Sequence, residues 1–331
     1  MAIIFMDGFE KNSTDKWTIL NGASIASSSG YDMSGAYVGR MSDWTQKFYK
    51  NLSSSYTELY FTFRWRFTKF SSGHKNAIMS FYDTSGTLIL SIQRGPEVVE
   101  VRRGGESSTV LATGTRALLI DTTYFFKVYY KPLNSGGAVS VYVDNVLECS
   151  AAGDTTAGLE NIKAFLFNYN GSAETQAVVD DIVVSTTDLT KNLRIAGKAV
   201  IGPGTTTEWD PSTGANYQCV DEVPPVHTDY NSTNVTDKID TFTIADCTED
   251  IDNIAALQVE LSCAYEGSPT PTHLQTVLRH DGSNYASGVD LSPPSSFGAP
   301  VVQIYEVNPG TSVAFLEADI NALEVGYKAT A

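Results

Sequence analysis

The sequence is poor in the residue types that most often carry chemistry. It holds four histidines and four cysteines in 331 residues. His74, His227, His273 and His280 are never four apart and none sits in an H-E-x-x-H pattern, so the sequence offers no helical metal pair. Cys149, Cys219, Cys247 and Cys263 are widely separated and form no C-x-x-C pair. That spacing argues for reduced, scattered thiols and against a zinc site. There is no G-x-S-x-G elbow and no P-loop, and the glycines of "IGPGTTTEW" suit a linker better than a phosphate cradle. No apolar run approaches the roughly 20 residues of a membrane span, so no membrane insertion is expected. The opening "MAIIFMDGFE" lacks a basic n-region and carries an acid at position 7, unlike a secretory leader. Positive charge is scarce in the second half. Residues 191–331 hold 6 Lys+Arg against 19 Asp+Glu, net −13, whereas residues 1–190 hold 16 against 19, net −3. A total of −16 argues against a nucleic-acid partner.

What the sequence does have is aromatic and β-branched. Seventeen Tyr and 15 Phe favour β-structure, and the length suggests two domains. "ELYFTFRWRF" alternates cleanly, with Leu59, Phe61, Phe63, Trp65 and Phe67 on one face and Arg64 and Arg66 on the other. "NAIMSFYD", "TLILSIQ", "EVVEVRR", "TYFFKVYYK" and "AVSVYVDNVLE" follow at short intervals, and Asp144-Asn145 reads as a tight hairpin turn. The expected fold class is all-β. A jelly-roll sandwich is expected over 1–187, a linker over 188–200, and a smaller, acidic, mostly-β domain over 201–331. In that second domain "KIDTFTIAD", "LQVELSCAY", "HLQTVLRH", "VVQIYEV" and "EVGYK" read as strands. "AFLEADINALEV" suits a short helix with Phe315, Leu316, Ile320 and Leu323 on one face.

The stretch "AVVDDIVVS" places Asp180 and Asp181 inside an apolar run, where an unpaired carboxylate is costly. Neighbours on a strand point to opposite faces, which argues against a two-carboxylate active site made by this pair. One aspartate is expected to point inward or to the sheet edge, bonding backbone N–H groups of "DGFE", and the other to face solvent. A structural calcium held by Asp181 is the alternative. Glu97 and Glu100 fall on opposite faces by the same rule. Glycoside hydrolysis needs two acids flanking one bond; no single strand offers them two or four apart, a pair from separate strands stays open, and no catalytic residue is assigned. The acidic "DCTEDIDN" lacks the ordered register of a calcium loop and reads as a solvated turn. In "DWTQKFYK", Trp44, Phe48 and Tyr49 are candidates for stacking on sugar rings, or else cover the sandwich edge.

Three stretches, "MAIIFMDGFE…KW", "VSVYVDNV" and "VVDDIVVS", resemble the concanavalin A-like lectin/glucanase sandwich. The second half resembles a family of tailed-bacteriophage virion proteins. The matching residues are Trp209, Pro211, Ser212 and Gly214, then Asp221 and Glu222, Tyr230, Asp240, Phe242, Glu324 and Gly326. The resemblance implies a non-enzymatic virion structural protein on the particle surface, as a capsid decoration, fibre or spike component. Such a protein is made in the host bacterial cytoplasm and contacts other virion proteins and copies of itself. It implies no cofactor, a structural calcium apart. The alternative is a host-glycan-binding receptor module of a tail fibre. A glycan hydrolase is a third class, disfavoured because the chain lacks the E-x-D-x-E glucanase motif.

Overall fold

A computed structural model describes all residues except 1, 44, 71–74, 96, 106, 157, 168–174, 190–191, 250–251, 268–270 and 331. The chain divides into two units, Met1–Ala196 and Gly197–Ala331. The first contains β1 (Ile3–Asp7), β2 (Ser24–Ser27), β3 (Tyr37–Met41), β4 (Phe48–Tyr56), β5 (Leu59–Lys69), β6 (Asn76–Tyr82) and β7 (Leu88–Arg94). It continues with β8 (Val98–Arg103), β9 (Val110–Ala117), β10 (Thr123–Lys131), β11 (Gly137–Val143), β12 (Val146–Gly153), β13 (Ile162–Phe167) and β14 (Gln176–Ser185).

These strands build the expected all-β jelly-roll sandwich. One sheet runs β12-β11-β10-β5-β14-β3-β2, with β1 also paired to β14. The other runs β4-β13-β6-β7-β8-β9. All the pairings are antiparallel, as hairpin-linked strands allow. The alternating set Leu59, Phe61, Phe63, Trp65 and Phe67 is fully buried between the sheets. Phe63 stacks on Phe126 with ring centroids 5.2 Å apart, and Phe61, Phe165 and Phe167 meet edge-on. Aromatic pairs of this geometry add about 0.5–1.5 kcal/mol each beyond the area they bury. Asp144 and Asn145 both adopt positive φ between β11 and β12, the conformation of a two-residue type I′ turn.

The second unit holds β15 (Val200–Thr207), β16 (Asp210–Pro211), β17 (Asn231–Ser232), β18 (Ile239–Ile244), β19 (Leu257–Leu261) and β20 (His273–His280). It ends with β21 (Ser283–Ala286), β22 (Val301–Tyr305), the helix α1 (Glu317–Asn321) and β23 (Glu324–Thr330). A five-stranded sheet, β15-β18-β23-β20-β21, is accompanied by the pairs β16-β17 and β19-β22. Its core gathers Ile244, Val259, Leu278, Phe315, Ile320 and Leu323. Leu316, expected on the buried face of the helix, is instead 66% exposed, because it occupies the extended residue that precedes the first turn. All four cysteines are free thiols.

The expected linker at 188–200 differs from what is seen. Residues 188–196 belong to the first unit, and Leu189 is buried. Asn192 Oδ1 accepts a hydrogen bond from Arg64 Nη2 at 2.7 Å, and the Ile195 N–H donates to Asp181 Oδ1 at 2.7 Å. Gly8 allows this approach, since a Cβ there would lie 2.8 Å from the Ile195 side chain. Residues 1–196 expressed alone are therefore expected to unfold cooperatively. A fragment ending at 187 loses the donor to a buried carboxylate, at a cost of about 1–3 kcal/mol. For a unit of this size that lowers the melting temperature by roughly 2–12 °C. Calorimetry of the two fragments checks this, and equal melting points would show that the 188–196 segment contributes nothing.

Candidate functional site

The outer face of the six-stranded sheet is polar yet shielded. In β6, β7, β8 and β13, one set of side chains enters the core: Met79 and Phe81, Leu90 and Ile92, Val101, Phe165 and Phe167. Strand alternation turns their neighbours outward. Pairing across the sheet then aligns them in one rung, Tyr49–Leu166–Ser80–Ser91–Arg102–Val110. At about 4.8 Å between strands the rung is roughly 24 Å long. A second rung carries Ala77, Gln93, Glu100 and Thr113, and a third carries Asn51, Ala164 and Tyr82.

Outward-facing residues are normally wet, but Ser80, Ser91, Gln93, Glu100 and Arg102 are all buried. Part of the cover is backbone. Ser91 Oγ donates to the Gly104 carbonyl at 2.7 Å, and Arg102 Nη1 donates to the Ser108 carbonyl at 2.7 Å. Arg102 also directs Nε and Nη2 onto one oxygen of Glu100, at 2.9 and 2.7 Å, and Gln93 Nε2 reaches the same oxygen at 3.4 Å. Ser80 Oγ is buried with no hydrogen-bond partner among the described residues. At the β4 end the face is aromatic. Tyr49 meets Tyr82 edge-on with centroids 5.6 Å apart, and its hydroxyl donates to Asn51 Oδ1 at 3.1 Å. Partial burial raises the Tyr49 hydroxyl above its ordinary pKa.

Of the sugar-stacking candidates, Tyr49 lies on this face and is half-buried. Phe48 does not: it is fully buried in the core against Phe9 and Trp17. Trp44 lies outside the described residues. The polar members of the face, Ser80, Ser91, Gln93 and Arg102, were not singled out from sequence. The signal available was the polar half of the alternation in "IMSF" and "LSIQ", which reads equally well as a solvated sheet face.

The paired aspartates behave differently from the expectation. Neither faces solvent: Asp180 is 1% and Asp181 0% exposed. The register of β14 shifts between Asp180 and Val183, and Asp181 has φ 51°. Such a bulge breaks strict alternation, so both side chains remain inside. Asp181 receives three hydrogen donors, the Ile195 N–H, the Ser34 hydroxyl and Arg64 Nε, the last at 2.9 Å. Those bonds engage both of its oxygens. Among the described residues no group of three or more His, Cys, Asp or Glu side chains is placed to hold a metal ion. Within "DGFE" the Phe9 N–H is served by Asp7 rather than by this pair, donating to Asp7 Oδ1 at 2.9 Å. Asp180 accepts only the Asp181 N–H, at 2.8 Å, and its other oxygen has no partner among the described residues. Burial, and then the adjacent Asp181 charge, push Asp180 up to about 9.

In the second unit the motif residues hold the sheet together. Asp240 Oδ1 accepts the Glu208 and Trp209 N–H groups at 2.6 and 2.9 Å, and Oδ2 accepts the Asn216 amide at 2.6 Å. The Trp209 indole donates to the Lys238 carbonyl at 3.1 Å and meets Tyr327 edge-on at 4.7 Å. Glu324 accepts the Thr205 N–H, the Thr205 hydroxyl and the Thr241 hydroxyl at 2.6–2.8 Å. Burial raises the Glu324 carboxyl, but those bonds outweigh it and hold the group below its ordinary value. Any side chain at Gly326 would collide with the Asp240 carbonyl. Glu222 makes none of these bonds. It is half-buried and raised by burial and by the charges of Asp229 and Asp221.

No family model and no curated protein matches the chain. Several solved structures are similar in fold. One is an endo-β-1,4-glucuronan lyase from the fungus Trichoderma reesei, at 11% identity and TM-score 0.43, covering 56% of this chain and 96% of that one. Another is the cellulose-induced protein Cip1, at 15% identity and TM-score 0.45, covering 56% and 98%. A third is the carbohydrate-binding module CBM66 from Bacillus subtilis, at 12% identity and TM-score 0.36, covering 52% and 96%. At these identities the likeness is one of fold. The expectation of a non-enzymatic virion structural protein is corrected here: the similar solved structures include polysaccharide lyases and a carbohydrate-binding module, not virion proteins.

Two outcomes follow from this geometry. Asp180 stays protonated in the folded chain up to about pH 9 but ionises near pH 4 when unfolded. Its contribution is therefore complete below about pH 4 and is lost as pH rises through 9, with a slope of up to about 1.4 kcal/mol per pH unit. Asp180→Asn, which cannot ionise, is expected to melt close to the wild type at pH 4–5 and above it at pH 8–9. A constant difference across pH 4–9 would contradict this. Gly326→Ala is expected to destabilise the second unit by about 1–3 kcal/mol through overpacking against backbone, measured by denaturant unfolding.

Proposed function

We propose that the first unit is a glycan-binding module whose binding surface is the outer face of its six-stranded sheet. The carrying observation is the rung Tyr49–Leu166–Ser80–Ser91–Arg102. Its accessible part is the aromatic end, where half-buried Tyr49 meets Tyr82 edge-on beside the exposed Asn51, while Ser80, Ser91 and Arg102 lie buried further along it. A sugar ring has apolar C–H faces and a hydroxyl rim, and a strip of this kind offers a partner to each.

Binding rather than cleavage is the reading favoured by how the carboxylate of this face is engaged. Glu100 is the carboxylate of these rungs, and one of its oxygens already takes three donors. That oxygen is occupied by protein donors rather than turned toward a substrate. A hydrolase would also need a second acid flanking the same bond.

The test is affinity electrophoresis and calorimetry of the full chain against a panel of soluble polysaccharides. One class is expected to bind. Tyr49→Ala is expected to weaken that binding about tenfold, or about 1.4 kcal/mol, with an unchanged circular dichroism spectrum. Failure of every glycan to bind would refute the reading. Release of unsaturated or reducing-end products would replace binding with catalysis.

A further inference from the structure

We propose that the outer face of the eight-stranded sheet carries a second binding platform, for an uncharged glycan, centred on Tyr60 and Tyr129. It shares a ligand class with the reading above but none of its residues, so either can fail alone. The alternation that sends Phe61, Phe63, Phe126 and Val128 into the core turns Tyr60, Lys127 and Tyr129 outward. Strand pairing then sets Tyr60, Tyr129, Ser140 and Ser150 in one rung across β5, β10, β11 and β12. The rung is about 14 Å long. Beside it, Tyr142 lies opposite Lys127 on one side and Leu147 on the other.

These side chains are within reach of a ligand. Tyr60, Tyr129, Ser140 and Tyr142 are half-buried, Ser150 is exposed, and Leu147 is 50% exposed. The Tyr60 and Tyr129 rings lie 4.8 Å apart and 30° from parallel, so they make one aromatic surface across two strands. Among the described residues, the hydroxyls of Tyr60, Tyr142, Ser140 and Ser150 are engaged in no hydrogen bond within the protein. The rings suit the C–H faces of a sugar and these hydroxyls suit its rim. Charge around the platform is balanced. Lys127 Nζ pairs with Asp188 Oδ1 at 2.9 Å and sits 5.0 Å from the Tyr142 centroid. Glu58 Oε2 accepts the Tyr129 hydroxyl at 2.8 Å, and Lys131 follows Tyr130, whose partner Leu59 follows Glu58. Two cations and two acids give a polyion no net attraction, and complement an uncharged partner.

The experiment is calorimetric titration of the full chain with cellohexaose, xylohexaose and mannohexaose, and with a guluronate hexamer as the charged comparison. At least one neutral hexaose is expected to bind two per chain. Tyr129→Ala is expected to reduce this to one, and Tyr129→Phe, which keeps the ring, to retain two. Cross-strand pairing alone would let Tyr129→Ala lower stability without changing the stoichiometry. Ser150→Arg lays a long side chain over the rung from an exposed position, so folding is not at stake, and it is also expected to leave one site. One site in the wild type, lost in Tyr49→Ala and kept in Ser150→Arg, would overturn the proposal and leave the earlier reading in place. One site lost in Ser150→Arg and kept in Tyr49→Ala would uphold the platform and overturn the earlier reading. Binding of no hexaose would overturn both. Guluronate bound as tightly as the neutral hexaoses would overturn the ligand class. A dimer of the chain in sedimentation that Ser150→Arg abolishes would assign the face to a second copy and overturn the proposal.

Discussion

One buried carboxylate organises the first unit. Asp181 lies on β14, which is paired with β5, β3 and β1 and buried along nearly its whole length. Its three donors come from Ser34 ahead of β3, Arg64 on β5 and Ile195 after the last strand. Burial raises the Asp181 carboxyl, and the donors from Ser34, Ile195 and Arg64 pull against that shift. The need for those donors fixes where the 34 and 195 segments go. The bulge that aims Asp181 also places Asp180 inside, held by a single N–H and kept protonated by its surroundings. The pair is an anchor of the frame, and the chemistry that two adjacent acids suggest is absent from it.

The face proposed for glycans depends on the same frame at one remove. The aromatic core between the sheets sets the alternation of β6, β7, β8 and β13, and their outward residues follow without further choice. What makes the face unusual is the burial of its polar row beneath backbone from Gly104 and Ser108. Charge on that row is cancelled internally by the Glu100–Arg102 pair.

The second unit solves a different problem, a small core under a heavy negative charge. Its acids are made useful as acceptors. Asp240 caps the 208–209 backbone and Glu324 ties the edge strand β15 to the centre of the sheet. Gly326 permits β23 to pass close to the Asp240 carbonyl, a proximity no side chain would allow. The short signature around Trp209, Asp240, Glu324 and Gly326 is thereby accounted for as one local packing requirement of the sheet.

Much of the architecture was legible in the residues. The two-residue period of "ELYFTFRWRF" determined which side chains enter the core, and Asp144-Asn145 determined a hairpin turn, because both effects act within a few residues of chain. In the second unit β18, β19, β20, β22, β23 and the short helix were legible for the same reason, whereas "IGPGTTTEW", read as linker, forms the edge strand β15 because its backbone pairs with β18. Three things were decided only by tertiary structure. Whether Asp180 and Asp181 face in or out depended on a bulge, and one inserted residue reverses an alternation that sequence cannot register. Whether 188–196 is linker or part of the sandwich depended on a donor being needed by a carboxylate 14 residues earlier. The polar residues of β6, β7 and β8 read alike for a wet surface and for a recessed floor. Pairing between strands distant in sequence lines them up, and backbone from another segment covers them, so their role becomes visible only when the sheets are assembled.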